Sequence, residues 1–239
     1  MTFGKQLSCN ILLLALALGF SVNAHAGSIR VSQESSAGAG DFDANVLGTI
    51  DPFVTALTTA NYYQYGNPDA ASYNGQLNGG PNAVSSQSLA FFVDAGDGLS
   101  LVVVHDNPND GSGGNTQTRW NLSGDTAAVV VEDDPGEPTT VSGGGTQFDS
   151  SKNWLACCTD GYAIGSLDGM WELFGQFLTS PNGINSWAVI DSDGSSTSLV
   201  LDAGRRVRFD LVADVPVPAP LALLGLGLIG LVCQRSKRS

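Results

Sequence analysis

Leu89-Ala90-Phe91-Phe92-Val93, then Asp94-Ala95-Gly96-Asp97-Gly98, then Leu99-Ser100-Leu101-Val102-Val103-Val104-His105, is the stretch whose reading decides the fold. Two runs of β-branched and aromatic residues across an Asp/Gly turn predict a β-hairpin. Working outward, residues 118–122 with Trp120, 127–131 and 170–178 predict further strands. Residues 187–190 and 198–201 flank Asp191-Ser192-Asp193-Gly194 and predict a second hairpin. In 206–212, Val207, Phe209 and Leu211 share one face, while Arg206, Arg208 and Asp210 share the other. Ile29 and Val31 alternate with Ser28, Arg30 and Ser32 in the same way. Residues 41–59 are ambiguous, with a helical turn carrying Phe53, Val54 and Leu57 open to them after Asp51-Pro52, and residues 61–82, rich in Tyr, Asn, Gln and Gly, read as a long surface loop or as irregular structure with aromatic contacts. Many short strands with almost no helical periodicity predict an all-β antiparallel β-sandwich of jelly-roll or Greek-key type. Trp120, Trp154, Trp171 and Trp187 are expected in the core or on a sheet face.

Both ends of the 239-residue chain read differently from this body. Lys5, the apolar run 11–20 and Ala24-His25-Ala26 before Gly27 predict a cleaved secretory signal peptide over 1–26. Leu7-Ser8-Cys9 precedes the apolar run, so it does not read as a lipidation box. At the other end, Val215-Pro216-Val217-Pro218-Ala219-Pro220 leads into an apolar run, 221–233, and a basic end, 234–239. Proline cannot lie inside a regular helix, so the lead-in is expected to be extended and polyproline-like. A helix over 221–233 covers about 20 Å, against about 30 Å for a hydrocarbon core. It therefore reads as a marginal membrane helix, with Arg235, Lys237 and Arg238 as its cytoplasmic basic stop. The ectodomain between the two ends is 27–214, and its length suits one domain with a real core.

Residues 215–228 resemble the PEP-CTERM sorting signal, in which a Val-Pro-Glu-Pro-Ala motif precedes a Leu/Gly-rich span and an Arg-rich end. Pro216 and Pro218 match the motif's two prolines, and Val217 is found where the family has Glu. The resemblance covers only the C-terminal tail, 215–239. It implies export in an exopolysaccharide-producing Gram-negative bacterium and recognition by exosortase, a membrane-embedded cysteine transpeptidase. An inner-membrane intermediate then precedes the cell surface or extracellular matrix. The ectodomain resembles no family in this way.

Composition narrows the partners. Residues 27–214 hold six Lys and Arg against 23 Asp and Glu, a net charge of −17. Such a body repels nucleic acid and anionic lipid, so neither is an expected partner. Cys157 and Cys158 are the only cysteines between the two terminal segments, and they are adjacent. Three states are open to them: a vicinal disulfide, two reduced thiols, or a bridge to another chain.

Three constellations could carry chemistry. Asp106, Asn107, Asn109 and Asp110 crowd one loop and form a candidate calcium site, because hard cations take six to eight oxygens; the competing reading is an ordinary turn. Glu132, Asp133 and Asp134 crowd another loop. With so many acids some pair must fall at glycosidase spacing, yet no pair is singled out. A Cys157/His105 nucleophile and base is conceivable, but His105, at a strand end, reads as a satisfied surface or edge residue. The favoured reading is a non-enzymatic exported surface or matrix protein, structural, adhesive or polysaccharide-associated, with Tyr62, Tyr63, Tyr65 and Tyr73 as candidate sugar-stacking residues. No cofactor is expected beyond the candidate calcium. The alternatives are an envelope hydrolase and an unprocessed single-pass inner-membrane protein.

Overall fold

The computed structural model describes residues 27–67 and 71–212. The expected signal peptide with Ala24 and Ala26 lies outside them, as do Pro216, Val217, Pro218, the 221–233 run and Arg235, Lys237 and Arg238. Among the described residues no helix is long and apolar enough to cross a membrane.

In chain order the strands are β1 Ile29–Gln33, β2 Val46–Ile50, β3 Phe53–Val54, β4 Gln87–Ala95, β5 Gly98–His105, β6 Gly114–Ser123 and β7 Ala128–Glu132. They continue with β8 Thr140–Ser142, β9 Gln147–Trp154, β10 Asp160–Gly165, β11 Glu172–Phe177, β12 Ser186–Ile190, β13 Ser196–Leu199 and β14 Val207–Leu211. One short helix, α1 Thr59–Tyr63, precedes β4. The first sheet runs β2-β1-β14-β11-β6-β9-β8, and the second runs β13-β12-β4-β5-β10-β7 with β3 beside β4. Ile29, Val31, Trp120, Phe148, Leu173 and Phe209 of the first sheet meet Phe92, Leu101, Val103, Tyr162, Trp187 and Val189 of the second in one core. The described residues are thus all-β, two sheets facing one another across a shared core as in a β-sandwich. All four tryptophans are buried.

The antiparallel expectation needs correction at two places. β12 and β3 both run parallel to β4, at Gln87–Ala90 and at Val93–Asp94 respectively. Parallel neighbours need a crossover connection rather than a tight turn. The 55–86 segment with α1 supplies one between β3 and β4.

The two sheets differ in what covers them. In β6 alternate residues Thr116, Thr118, Trp120 and Leu122 are buried, while the residues between them are half-buried or exposed. One wet face and one core face give that alternation. The β4–β5 hairpin turns at Gly96-Asp97, with Ala95 opposite Gly98, and it is buried on both faces. Ala90, Phe92, Leu101 and Val103 enter the inter-sheet core. Leu89, Phe91, Val93, Val102 and Val104 form a second cluster with Tyr62, Tyr63 and Tyr73. Covering both faces is what makes the hairpin's apolar runs continuous.

That cover decides between the two readings of the tyrosine segment in favour of irregular structure with aromatic contacts: Tyr62, Tyr63 and Tyr73 are at most 1% exposed, and Tyr63 meets Tyr73 edge-on at 5.0 Å between ring centroids. Only Tyr65, 39% exposed, remains outside. The outer face of the second sheet is apolar, so the tyrosine segment is drawn onto it. A helical turn does not form at Phe53, Val54 and Leu57. Phe53 and Val54 pair with β4, and the helix starts later because Thr58 caps it, its side chain accepting from the Asn61 N–H.

Gly175 of β11 sits opposite Trp120 of β6, and a Cβ there would run into the indole ring. Gly175→Val is therefore expected to lower stability by about 1–3 kcal/mol through overpacking, read as a lower urea midpoint with an unchanged m-value. A variant as stable as the parent would show that the ring can move aside.

Candidate functional site

The sandwich closes at one end around a buried lysine. β9 buries Phe148, Ser150, Lys152 and Trp154 in alternation, so strand periodicity carries Lys152 inward to 0% side-chain exposure. Its Nζ donates to Glu132 Oε2 at 2.7 Å and to the Glu137 carbonyl at 2.8 Å. Asp160 Oδ1, at the start of β10, lies 3.7 Å away. Two backbone groups point at the Asp160 carboxylate: the Gly161 N–H at 2.7 Å from Oδ1 and the Asn153 N–H at 3.1 Å from Oδ2. Burial is the largest influence on this carboxyl and raises its pKa to about 7, against the pull of Lys152.

Asp133, just past β7, is the second buried acid. Its Oδ2 accepts from Tyr63 Oη at 2.7 Å and from Thr159 Oγ1 at 3.4 Å, while Oδ1 has no hydrogen-bond partner. Burial pushes its pKa up to about 8. Thr159 Oγ1 also accepts from the Tyr73 N–H at 2.8 Å. Tyr63, Asp133 and Thr159 thus fasten the tyrosine segment to the end of the second sheet.

His105 is not a surface residue. It is fully buried, shares a 3.0 Å hydrogen bond with Ser88 Oγ through Nδ1, and stacks on Trp154 at 5.7 Å. Burial, helped by Lys152, lowers its pKa to about 3, so the ring is neutral at neutral pH. Its candidate partner is engaged elsewhere: Cys157 is bonded to Cys158 at 2.03 Å in the 155–158 turn between β9 and β10.

In the 106–110 loop, the two candidate calcium carboxylates are tied into hydrogen bonds with their surroundings. Asp106 is fully buried. Its Oδ1 accepts from the Ser86 and Asn107 N–H groups, and its Oδ2 from Trp154 Nε1 at 2.7 Å. Asp110 is engaged by Ser85 and Ser112, which hold its pKa at about 2. Asp106 is also among the groups that lower the pKa of Asp110, so the two carboxyls are neighbours. Among the described residues no group of three or more His, Cys, Asp or Glu could hold a metal ion. Asp191 and Asp193 close the β12–β13 turn by accepting from backbone N–H groups.

The chain's C-terminal segment has the order of a sorting signal: paired prolines, an apolar run, then basic residues. Residues 214–238 match the PEP-CTERM protein-sorting motif. The PEP-CTERM motif is a signal for export and for membrane-associated sorting by exosortase-type machinery to the cell surface. No curated protein and no solved structure matches the chain. The PEP-CTERM match begins three residues after β14 ends at Leu211, so the motif is joined to the sandwich by a very short link.

The body that carries the PEP-CTERM motif has every one of its cations matched to a different acid. Arg30 pairs with Asp210, Arg119 with Asp149, Lys152 with Glu132, Arg205 with Asp202, Arg206 with Glu34 and Arg208 with Asp43. Arg206 and Arg208 each lie 5.3 Å from the Phe42 ring. The charge left over on this surface is all negative.

Lys152, Asp160, Asp133 and Tyr63 escaped the sequence reading as a group. One signal was present: Lys152 is the only lysine between Lys5 and Lys237, and it sits in an otherwise polar stretch that leads into Trp154.

Proposed function

We propose that the chain is an exported, exosortase-sorted surface or extracellular-matrix protein whose sandwich is structural or adhesive rather than enzymatic. The observation that carries this reading is the PEP-CTERM match at 214–238. Two features of the body support it. Asp133 and Asp160, the acids that burial would suit to acid–base work, are at most 2% exposed and bonded within the fold, so a polymer substrate has no path to them. The six cations are all paired, so an anionic polymer finds no free positive site. A polysaccharide partner would accordingly be neutral, or held through bridging cations, and Tyr65 is the tyrosine still exposed to stack on it. Nucleic acid is not a partner on this reading.

The test is intact-mass spectrometry of the protein from its native host. A mature form that begins at Gly27 and ends within 216–220 is expected. Replacing both Pro216 and Pro218 by alanine should leave Arg235, Lys237 and Arg238 on most of the protein. A wild-type protein that retains those residues would overturn processing and leave a single-pass membrane protein.

A further inference from the structure

A surface protein does not need a fully enclosed lysine with three oxygens around its amine, and the neighbours of this one are arranged for a reaction. We propose that Lys152 and Asp160 join in an intramolecular isopeptide bond, formed by the folded protein itself, which ties the first sheet to the second. Lys152 belongs to β9 of the first sheet and Asp160 to β10 of the second. Nζ lies 3.7 Å from Asp160 Oδ1, so a small side-chain rotation brings it against Cγ. Glu132 is the catalytic base: its Oε2 takes the Nζ hydrogen bond at 2.7 Å, and its Oε1 is held by the Thr139 N–H at 2.8 Å.

The step balances without any co-reactant. The Lys152 ammonium gives one proton to Glu132, and the nitrogen lone pair attacks Cγ of the protonated Asp160 carboxyl. The C=O electrons move onto Oδ1, at which the Gly161 N–H already points, while the Asn153 N–H holds Oδ2, the oxygen that leaves. The intermediate collapses by breaking one C–O bond. The leaving hydroxyl takes the second proton from nitrogen and departs as water, and Glu132 releases the first proton to solvent. Burial of Asp160 keeps its neutral, electrophilic form populated near neutral pH. Holding amine and carboxyl in contact replaces a bimolecular encounter by a unimolecular step, and the enclosed site keeps water from reversing it. The other ionisable groups around the pair are Asp133 and Glu137 after β7, Tyr63 from α1, His105 from β5 and Tyr162 from β10.

Trypsin reads the bond directly. Lys152 is the one tryptic site between Arg119 and Arg205, and an acylated lysine is not cut. The denatured, reduced full-chain protein should release 120–205 as a single fragment about 18 Da lighter than its sequence, the mass of the lost water. Fragments 120–152 and 153–205 at full mass from the wild-type protein would overturn the proposal. Lys152→Arg should give those two fragments, and Glu132→Gln should give mostly the two. A Glu132→Gln protein that still cross-links fully would remove Glu132 from the reaction. Asp160→Asn adds an independent signature, because the leaving group becomes ammonia and the deficit falls to about 17 Da. Should the variants not fold, the wild-type digest alone decides.

Discussion

Replacing Trp120 by alanine is expected to destabilise the sandwich by about 3–5 kcal/mol, the range for truncating a buried aromatic. In a domain of this size that corresponds to a fall in Tm of roughly 6–20 °C. Trp120 earns this position through three contacts at once. Its ring stacks on Phe209 of β14 at 5.9 Å and lies over Gly175 of β11. Its Nε1 donates to Tyr162 Oη at 2.7 Å, so a residue of the first sheet is bonded to one of the second. Removing it opens a cavity and leaves the buried Tyr162 hydroxyl with Thr118 Oγ1, at 2.7 Å, as its side-chain partner. Trp120→Phe keeps most of the volume and should cost less than half as much. Urea unfolding of both variants checks the ordering, and an alanine variant within 1 kcal/mol of wild type would show that the inter-sheet core does not depend on this ring.

The second large effect depends on pH. Asp133 has its pKa raised by burial to about 8, well above its unfolded value near 4. Between those limits the folded protein holds a proton that the unfolded chain has released. Stability from this group is therefore greatest at low pH and is lost as pH rises through the folded pKa. Asp133→Asn removes the titration while keeping an acceptor for Tyr63 Oη. Relative to wild type, the variant should gain roughly 4 kcal/mol between pH 5 and pH 8.5, at about 1.4 kcal/mol per unit. Thermal melts of both proteins at the two pH values supply the comparison, and a difference that stays flat with pH would sink it. Glu34 behaves oppositely. Although burial is the largest single influence on it and pushes upward, the hydrogen bonds from Arg206 and Gly40 outweigh burial and hold its pKa low. Its contribution is present above its unfolded pKa and fades as pH falls through the folded one.

How much of this was legible depended on whether inward positions carried apolar side chains. The β4–β5 hairpin was plain because both of its faces are apolar. β14 was plain because Val207, Phe209 and Leu211 alternate with charge. β9 alternates just as strictly in burial, but two of its inward positions are Ser150 and Lys152, so its hydropathy hides its period. β10 packs two glycines into six residues, and β2 is an edge strand whose Val46 and Leu47 are exposed. The tyrosine segment stays open between two readings in the sequence, because its polar composition suggests water while its aromatic rings suit the apolar outer face of the second sheet. The acid cluster was unreadable for a different reason. Asp133 and Asp160 come from the ends of two separate strands, β7 and β10, and among 23 acids no local pattern marks those two.

β14 is also the strand from which the chain leaves the sandwich. It is flanked on both sides, antiparallel to β1 and to β11, and Val212 adds one more backbone bond, to Ser28. For a protein tethered by its C-terminus, drag on the body would arrive as tension along β14. That pull loads two hydrogen-bonded ladders in shear instead of peeling an edge strand one bond at a time. A load entering at the end of β14 would therefore reach the first sheet through an interior strand, held by a neighbour on each side, and not through an edge.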